Sequence, residues 1–247
     1  MIKFFRHIRQ NLLMENKTGK YFKYAIGEIF LVVIGILIAL QINNWNENRK
    51  FVNEEKETIA SLKLEFEKNL TDLEGSINVI QTIINSCNVL LEFTGPNYEF
   101  GSLKNVDSLI SMTPRMVVWD PSLYTLSDIK NSGKLSRLSN DDLKILLIEW
   151  ESFYSNLLDW GDFYVSRGNK YFDYLVENSV NRNLMSTGPL QYSKSKFEGT
   201  NEKLLRTPTF ESNLINKVAI NSYMLNYYSE AKDKLADIIK KCITYEN

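Results

Sequence analysis

From Tyr24 to Ile42 the chain is apolar at almost every position, and Glu28 is the only charge in that run. About 19 residues at 1.5 Å rise reach roughly 28 Å, close to the hydrocarbon thickness of a bilayer. The pattern predicts one transmembrane helix, and no other stretch matches it in length and purity. Further on, the beat changes. Phe66, Leu70, Leu73, Ile77, Ile80, Ile84, Cys87 and Leu91 step 4-3-4-3-4-3-4, with Ile59 and Leu62 ahead of them. This is the heptad seam of a coiled coil or a long helical bundle. Asn43-Asn44-Trp45 contains no Pro or Gly, so the helix is expected to leave the membrane unbroken. Thr94-Gly95-Pro96 should stop it, since Pro cannot continue a helix.

Residues 97–138 read as broken structure. Ser102 is expected to open a short helix over about 102–111, and Asp120-Pro121-Ser122 to cap another over about 122–131. Met116-Val117-Val118-Trp119 between them is a buried extended piece or a turn of core. Gly133 suits the end of the second short helix. Ser139 or Asn140 then caps a long helix over about 141–177, with Asp141 and Asp142 against its positive end. Its seam runs through Leu143, Leu147, Trp150, Tyr154, Leu157, Gly161, Tyr164, Gly168, Tyr171 and Leu175. Gly161 and Gly168 each cost about 1 kcal/mol of helix stability relative to Ala. They imply close approach of another element, or a kink. Residues 179–207, with Gly188-Pro189 and Gly199-Thr200, are expected to form a long loop. Pro208 or Thr209 opens the last helix, about 209–244, carrying Leu214, Val218, Leu225, Tyr228, Leu235, Ile239 and Cys242. Asn221 and Lys232 interrupt that beat and are expected at the bundle edge.

The expected fold is therefore all-α: one N-terminal transmembrane helix continuing into a long-helix bundle with a coiled-coil-like seam. Its parts are an interfacial segment (1–20), an anchor (21–45) and a bundle domain (46–247). Of 247 residues, 44% are hydrophobic and 24% charged; about 200 beyond the anchor suffice for one domain with its own core. The net charge of −1 is unevenly spread. Residues 1–42 hold six basic and two acidic groups, so the rest carries −5. Lys3, Arg6, Arg9, Lys17, Lys20 and Lys23 before the apolar run place the N-terminus in the cytoplasm and the bundle outside. Tyr21, Tyr24 and Trp45 suit the two membrane rims. Lys3, Phe4, Arg6, Ile8, Arg9 and Leu12 fit a basic amphipathic helix lying among inner-leaflet headgroups. A cleaved signal peptide is disfavoured, because the leader is long and Ala39-Leu40-Gln41 is a poor cleavage site. Within the span, Glu28, Val32, Gly35 and Ala39 fall near one face. The two small residues suit close helix pairing, and an intramembrane carboxylate is a functional candidate.

The run Met1-Ile2-Lys3-Phe4-Phe5-Arg6, then Glu15-Asn16-Lys17, then Tyr24 to Ile29 and Leu31 to Glu47, resembles an uncharacterised family of single-pass membrane proteins of Bacteroidota, grouped as a domain of unknown function. A looser likeness covers Tyr124 to Leu135, where Ile129 stands at the second apolar position of a Tyr…Leu…Ser-Gly…Leu pattern. The resemblance implies a Gram-negative inner membrane and a periplasmic C-terminal domain. It implies no activity.

The chemistry narrows by exclusion. His7, the only histidine, precedes the anchor, so the bundle holds no Ser-His-Asp triad and no His-ligated metal site. Cys87 and Cys242 are too few for a thiolate zinc site. They either pair in an oxidising compartment or, the preferred reading, sit as small apolar residues in a helical core. There is no Gly-rich phosphate loop and no metal spacing, and the acidic bundle gives no nucleic-acid footprint. Asp120, Asp128, Asp159, Asp162 and Asp173 leave carboxylate chemistry open without singling out a pair. No cofactor is expected. The aromatic stripe around Trp150, Tyr154, Gly161, Tyr164 and Gly168 is core, a partner surface or the lining of a ligand pocket between helices. The preferred function is a non-catalytic, membrane-anchored interaction or scaffold protein in contact with lipid, self-associating through the span and the first long helix. The alternatives are a periplasmic small-molecule receptor and, more weakly, an accessory subunit of a proton-driven membrane complex using Glu28.

Overall fold

A computed structural model describes residues 18–187 and 192–246. The expected interfacial residues Lys3 to Leu12, and Gly188-Pro189, lie outside them. Among the described residues there is no strand. The elements are α1 (Thr18–Leu91), α2 (Val106–Met112), α3 (Tyr124–Asn131), α4 (Lys134–Arg137), α5 (Asp141–Asn178), α6 (Asn181–Ser186), a 3₁₀ turn (Asn201–Arg206) and α7 (Pro208–Glu246). The chain divides into two units at Glu57/Thr58.

The first unit contains the apolar part of α1. Ile26, Ile29, Phe30, Leu31, Val32, Leu37, Leu40 and Ile42 are all exposed. Among the described residues, α1 is the one helix long and apolar enough to cross a membrane. Beyond the apolar run, Arg49 lies 5.3 Å from the centre of the exposed Trp45 ring, and Asn43 donates to Glu47 Oε1 at 3.1 Å.

The second unit, Thr58–Asn247, has its own core built on α1, α5 and α7. Ile59, Leu62, Phe66, Leu73 and Ile80 pack with Leu143, Leu147, Trp150 and Leu157, and with Met224, Tyr228, Leu235 and Ile238. A second apolar cluster joins Ile83, Cys87 and Leu90 to Tyr98, Ile110, Leu175, Leu205, Phe210 and Leu214. The heptad seam of α1 is thus consumed inside its own bundle. Leu70, Ile77, Ile84 and Leu91, half of the residues expected on it, are only partly buried. Neither cysteine is in a disulfide and both are buried, Cys87 in the second cluster and Cys242 in the first.

Local signals explain the shorter elements. Asn140 caps α5, accepting from Leu143 N at 3.0 Å. Gly133 (φ 74°) makes the left-handed turn between α3 and α4, a conformation glycine adopts without penalty. The expected Asp120-Pro121-Ser122 cap does not form. Glu65 of α1 supplies it from a distance, accepting from Ser122 Oγ at 2.6 Å and Thr125 N at 2.8 Å. The first short helix opens at Val106, after Asn105 in the left-handed region, not at Ser102. The described part of the expected loop over 179–207 is also more regular than its composition suggests. It holds α6 and the 3₁₀ turn, tied down by the buried Asn201, which accepts from Val180 N at 2.6 Å and donates to Asp107 at 2.7 Å.

Candidate functional site

Residues 115–120 form an irregular strap between the helices, after the turn at Thr113-Pro114, with no sheet to satisfy their backbone. A buried backbone group must still find a partner, and side chains supply it. Tyr228 OH accepts from Trp119 N at 2.8 Å and donates to Val117 O at 3.1 Å. Val117 N reaches Tyr164 OH at 3.4 Å. Lys217 Nζ donates to Arg115 O at 2.9 Å. Thr113 and Tyr171 share a hydrogen bond of 2.7 Å, and Tyr154 OH donates to Asp120 at 3.1 Å. Past the strap, Asn69 clamps Ser122 through both its N–H and its C=O, each at 2.8 Å.

These contacts form a polar layer where the two apolar clusters meet. Tyr164 OH also donates to Asn221 Oδ1 at 2.9 Å, and Asn221 Nδ2 donates to Lys217 O at 2.7 Å. Asn221 is fully buried, not at the bundle edge where the sequence pattern put it; only Lys232 is exposed there, paired with Glu74 at 2.8 Å. Burial dominates the electrostatics. It pushes Tyr228 up to about 12, and Tyr154 likewise, with the Asp120 contact adding to the Tyr154 shift. It raises the Cys87 thiol to about 12 and pulls the Lys217 ammonium down to about 8.

Trp150, Tyr154 and Tyr164 therefore belong to the packed interior. Trp150 is fully buried, stacked on Tyr154 at 6.1 Å and edge-on to Phe66 at 5.9 Å. Gly168 is a close-approach position: a Cβ there would lie 2.6 Å from Met116 Cγ and nearer still to Sδ. Gly161 has open space around it and serves no close approach. Val32, Gly35 and Ala39 are exposed along α1, with Glu28 partly so.

A concavity lies outside the packed interior, on the flank of α5 and α7. It is a groove of about 720 Å³ lined by Trp160, Phe163, Arg167, Lys170, Lys217 and Tyr223, with Gly168, Tyr171, Asn213 and Asn216 beside them. Trp160 stacks on Tyr223 at 6.0 Å, 28° from parallel, and meets Phe163 edge-on at 5.4 Å. Among the described residues, no group of three His, Cys, Asp or Glu side chains is placed to hold a metal.

Sequence reasoning missed the groove and Lys217. A signal was there: Leu214, Lys217, Asn221, Met224, Tyr228, Ala231, Leu235, Ile238 and Cys242, every one buried, step 3-4-3-4-3-4-3-4. Two polar residues on an otherwise apolar seam concealed the register.

An exposed apolar N-terminal helix joined in sequence to a helical bundle defines the class. The chain belongs to the Family of unknown function (DUF6090), which matches residues 28–182. The match takes in the apolar stretch from Glu28, the strap and α5, and ends before α7. No curated protein and no solved structure matches the chain.

Proposed function

We propose that the protein is a membrane-anchored, non-catalytic interaction module, held by the apolar part of α1 with its bundle on the periplasmic side of a bacterial inner membrane. One observation carries this reading: none of the most apolar 18-residue window of α1 is buried within the chain. A core helix of a soluble protein would be covered, and so large a contiguous apolar surface is unfavourable in water. Lipid is the medium that suits it. The basic residues ahead of it favour a cytoplasmic N-terminus.

The non-catalytic reading draws support from the polar layer. Its hydroxyls and amide are engaged in holding the strap and each other rather than converging on a reacting centre. The proposed partners are lipid and a second copy of the chain. Because the α1 seam is closed within the bundle, self-association falls to the face of Glu28, Val32, Gly35 and Ala39. Fractionation tests the anchor. Carbonate-washed membranes should retain the full chain, and deletion of residues 1–45 should release the bundle as soluble protein. Release of the full chain by carbonate contradicts the reading.

A further inference from the structure

Among the described residues, Lys217 is a buried cation with no carboxylate paired to it. It is 4% exposed. Its ammonium makes one hydrogen bond, to Arg115 O, and stands 5.5 Å from the centre of the Tyr164 ring. An ammonium has three donors, so two are left over. Among the described residues no carboxylate pairs with it. Buried charges are ordinarily paired, because the interior does not replace their hydration. Burial draws its pKa to about 8, which still leaves it mainly protonated at neutral pH.

Lys217 is also one of the residues lining the groove on α5 and α7. Arg167 and Lys170 bring two further cations to that surface, and no Asp or Glu stands among the lining residues. Trp160, Tyr223 and Phe163 form the aromatic wall. The volume, about 720 Å³, falls within the range of small-molecule sites.

We propose that this groove binds a small planar aromatic anion, its charged head at the Lys217 ammonium and its ring against Trp160 and Tyr223. Charge complementarity selects the anion, since three cations line a surface free of carboxylates. The ring wall selects a flat apolar body, which stacks over an aromatic face. A neutral sugar or alcohol would leave the buried ammonium uncompensated. The inference does not depend on how the chain is anchored.

The test uses the full chain in phosphatidylcholine nanodiscs, titrated calorimetrically with 2-naphthoate, with empty nanodiscs as the blank. Saturable one-site binding is expected. 2-Naphthol, the same ring system without the charge, should bind about tenfold more weakly or worse, the scale of a lost hydrogen bond to a charged group. Trp160→Ala should weaken both probes. Lys217→Met should weaken 2-naphthoate by about tenfold and leave 2-naphthol unchanged. If Lys217→Met fails to fold, the exposed Arg167→Gln replaces it, with an expected loss of about threefold for the anion alone. Equal affinity of the wild type for the two probes overturns the proposal. So does absence of 2-naphthoate binding, or full anion affinity in the folded cation variant.

Discussion

Removing one oxygen, with Tyr228→Phe, should unfasten the strap. That hydroxyl accepts from Trp119 N and donates to Val117 O. The Trp119 ring is buried against Tyr228 at 6.1 Å, so little room exists for a replacement water. The ring of Phe fills the same space and the packing term barely changes. What changes is that one buried donor and one partly buried acceptor lose their partner. Each unsatisfied buried group costs about 1–3 kcal/mol, and Val117 O, nearer the surface, contributes at the lower end. The expected loss is about 2–4 kcal/mol. Urea unfolding of the full chain in mild detergent, followed by tryptophan fluorescence, reports on Trp119 and Trp150 directly. Tyr223→Phe is the control: Tyr223 is exposed on the groove wall, and its loss should stay within about 0.5 kcal/mol. If Tyr228→Phe is equally silent, the strap is not held by side-chain hydroxyls and the account of the polar layer is wrong.

The two seam glycines should respond oppositely to alanine. Gly161→Ala meets open space and should stabilise by up to about 1 kcal/mol through helix propensity. Gly168→Ala drives a methyl into Met116 and should destabilise by about 1–2 kcal/mol net, a loss that Met116→Ala should recover; the same unfolding assay reads both. Lys217 makes stability depend on pH in a defined window. Its folded pKa of about 8 lies below the ordinary lysine value of 10.5, so the unfolded chain holds more protons and stability rises as pH climbs through 8. Cys87, raised from 9 to about 12, opposes this from pH 9 upward. The net gain between pH 7 and 9 should be about 1 kcal/mol, and Lys217→Met should abolish it. In the span, Gly35→Ile should reduce self-association in a membrane reporter assay; undiminished pairing would reject that face.

Much of the architecture was legible because it rests on short-range pattern. The apolar run, the Pro and Gly stops and the Asn140 cap are local signals, and they located α1, α5 and α7. An irregular segment at Met116 to Trp119 was expected, but the way the strap is held was not legible, because its side-chain contacts are long-range. Its partners lie 34 to 111 residues away in sequence. Glu65 and Asn69 of α1 replace the local cap expected at Asp120-Pro121-Ser122 for the same reason. Asn69, like Lys217 and Asn221, is a buried polar residue on a helical seam. Expecting apolar residues along the seams set the register on half-buried neighbours such as Leu70 and Val218. The aromatic stripe divided accordingly, Trp150, Tyr154 and Tyr164 going to the interior and Trp160 and Tyr223 to the groove.

The placement of the bundle across the membrane bears most directly on the whole account. A C-terminal epitope tag on the full chain, expressed in a Gram-negative host, reports it under protease digestion of intact spheroplasts. The account predicts that external protease removes the tag and degrades the bundle while a cytoplasmic marker survives. A bundle that resists external protease and is digested only after lysis would contradict it.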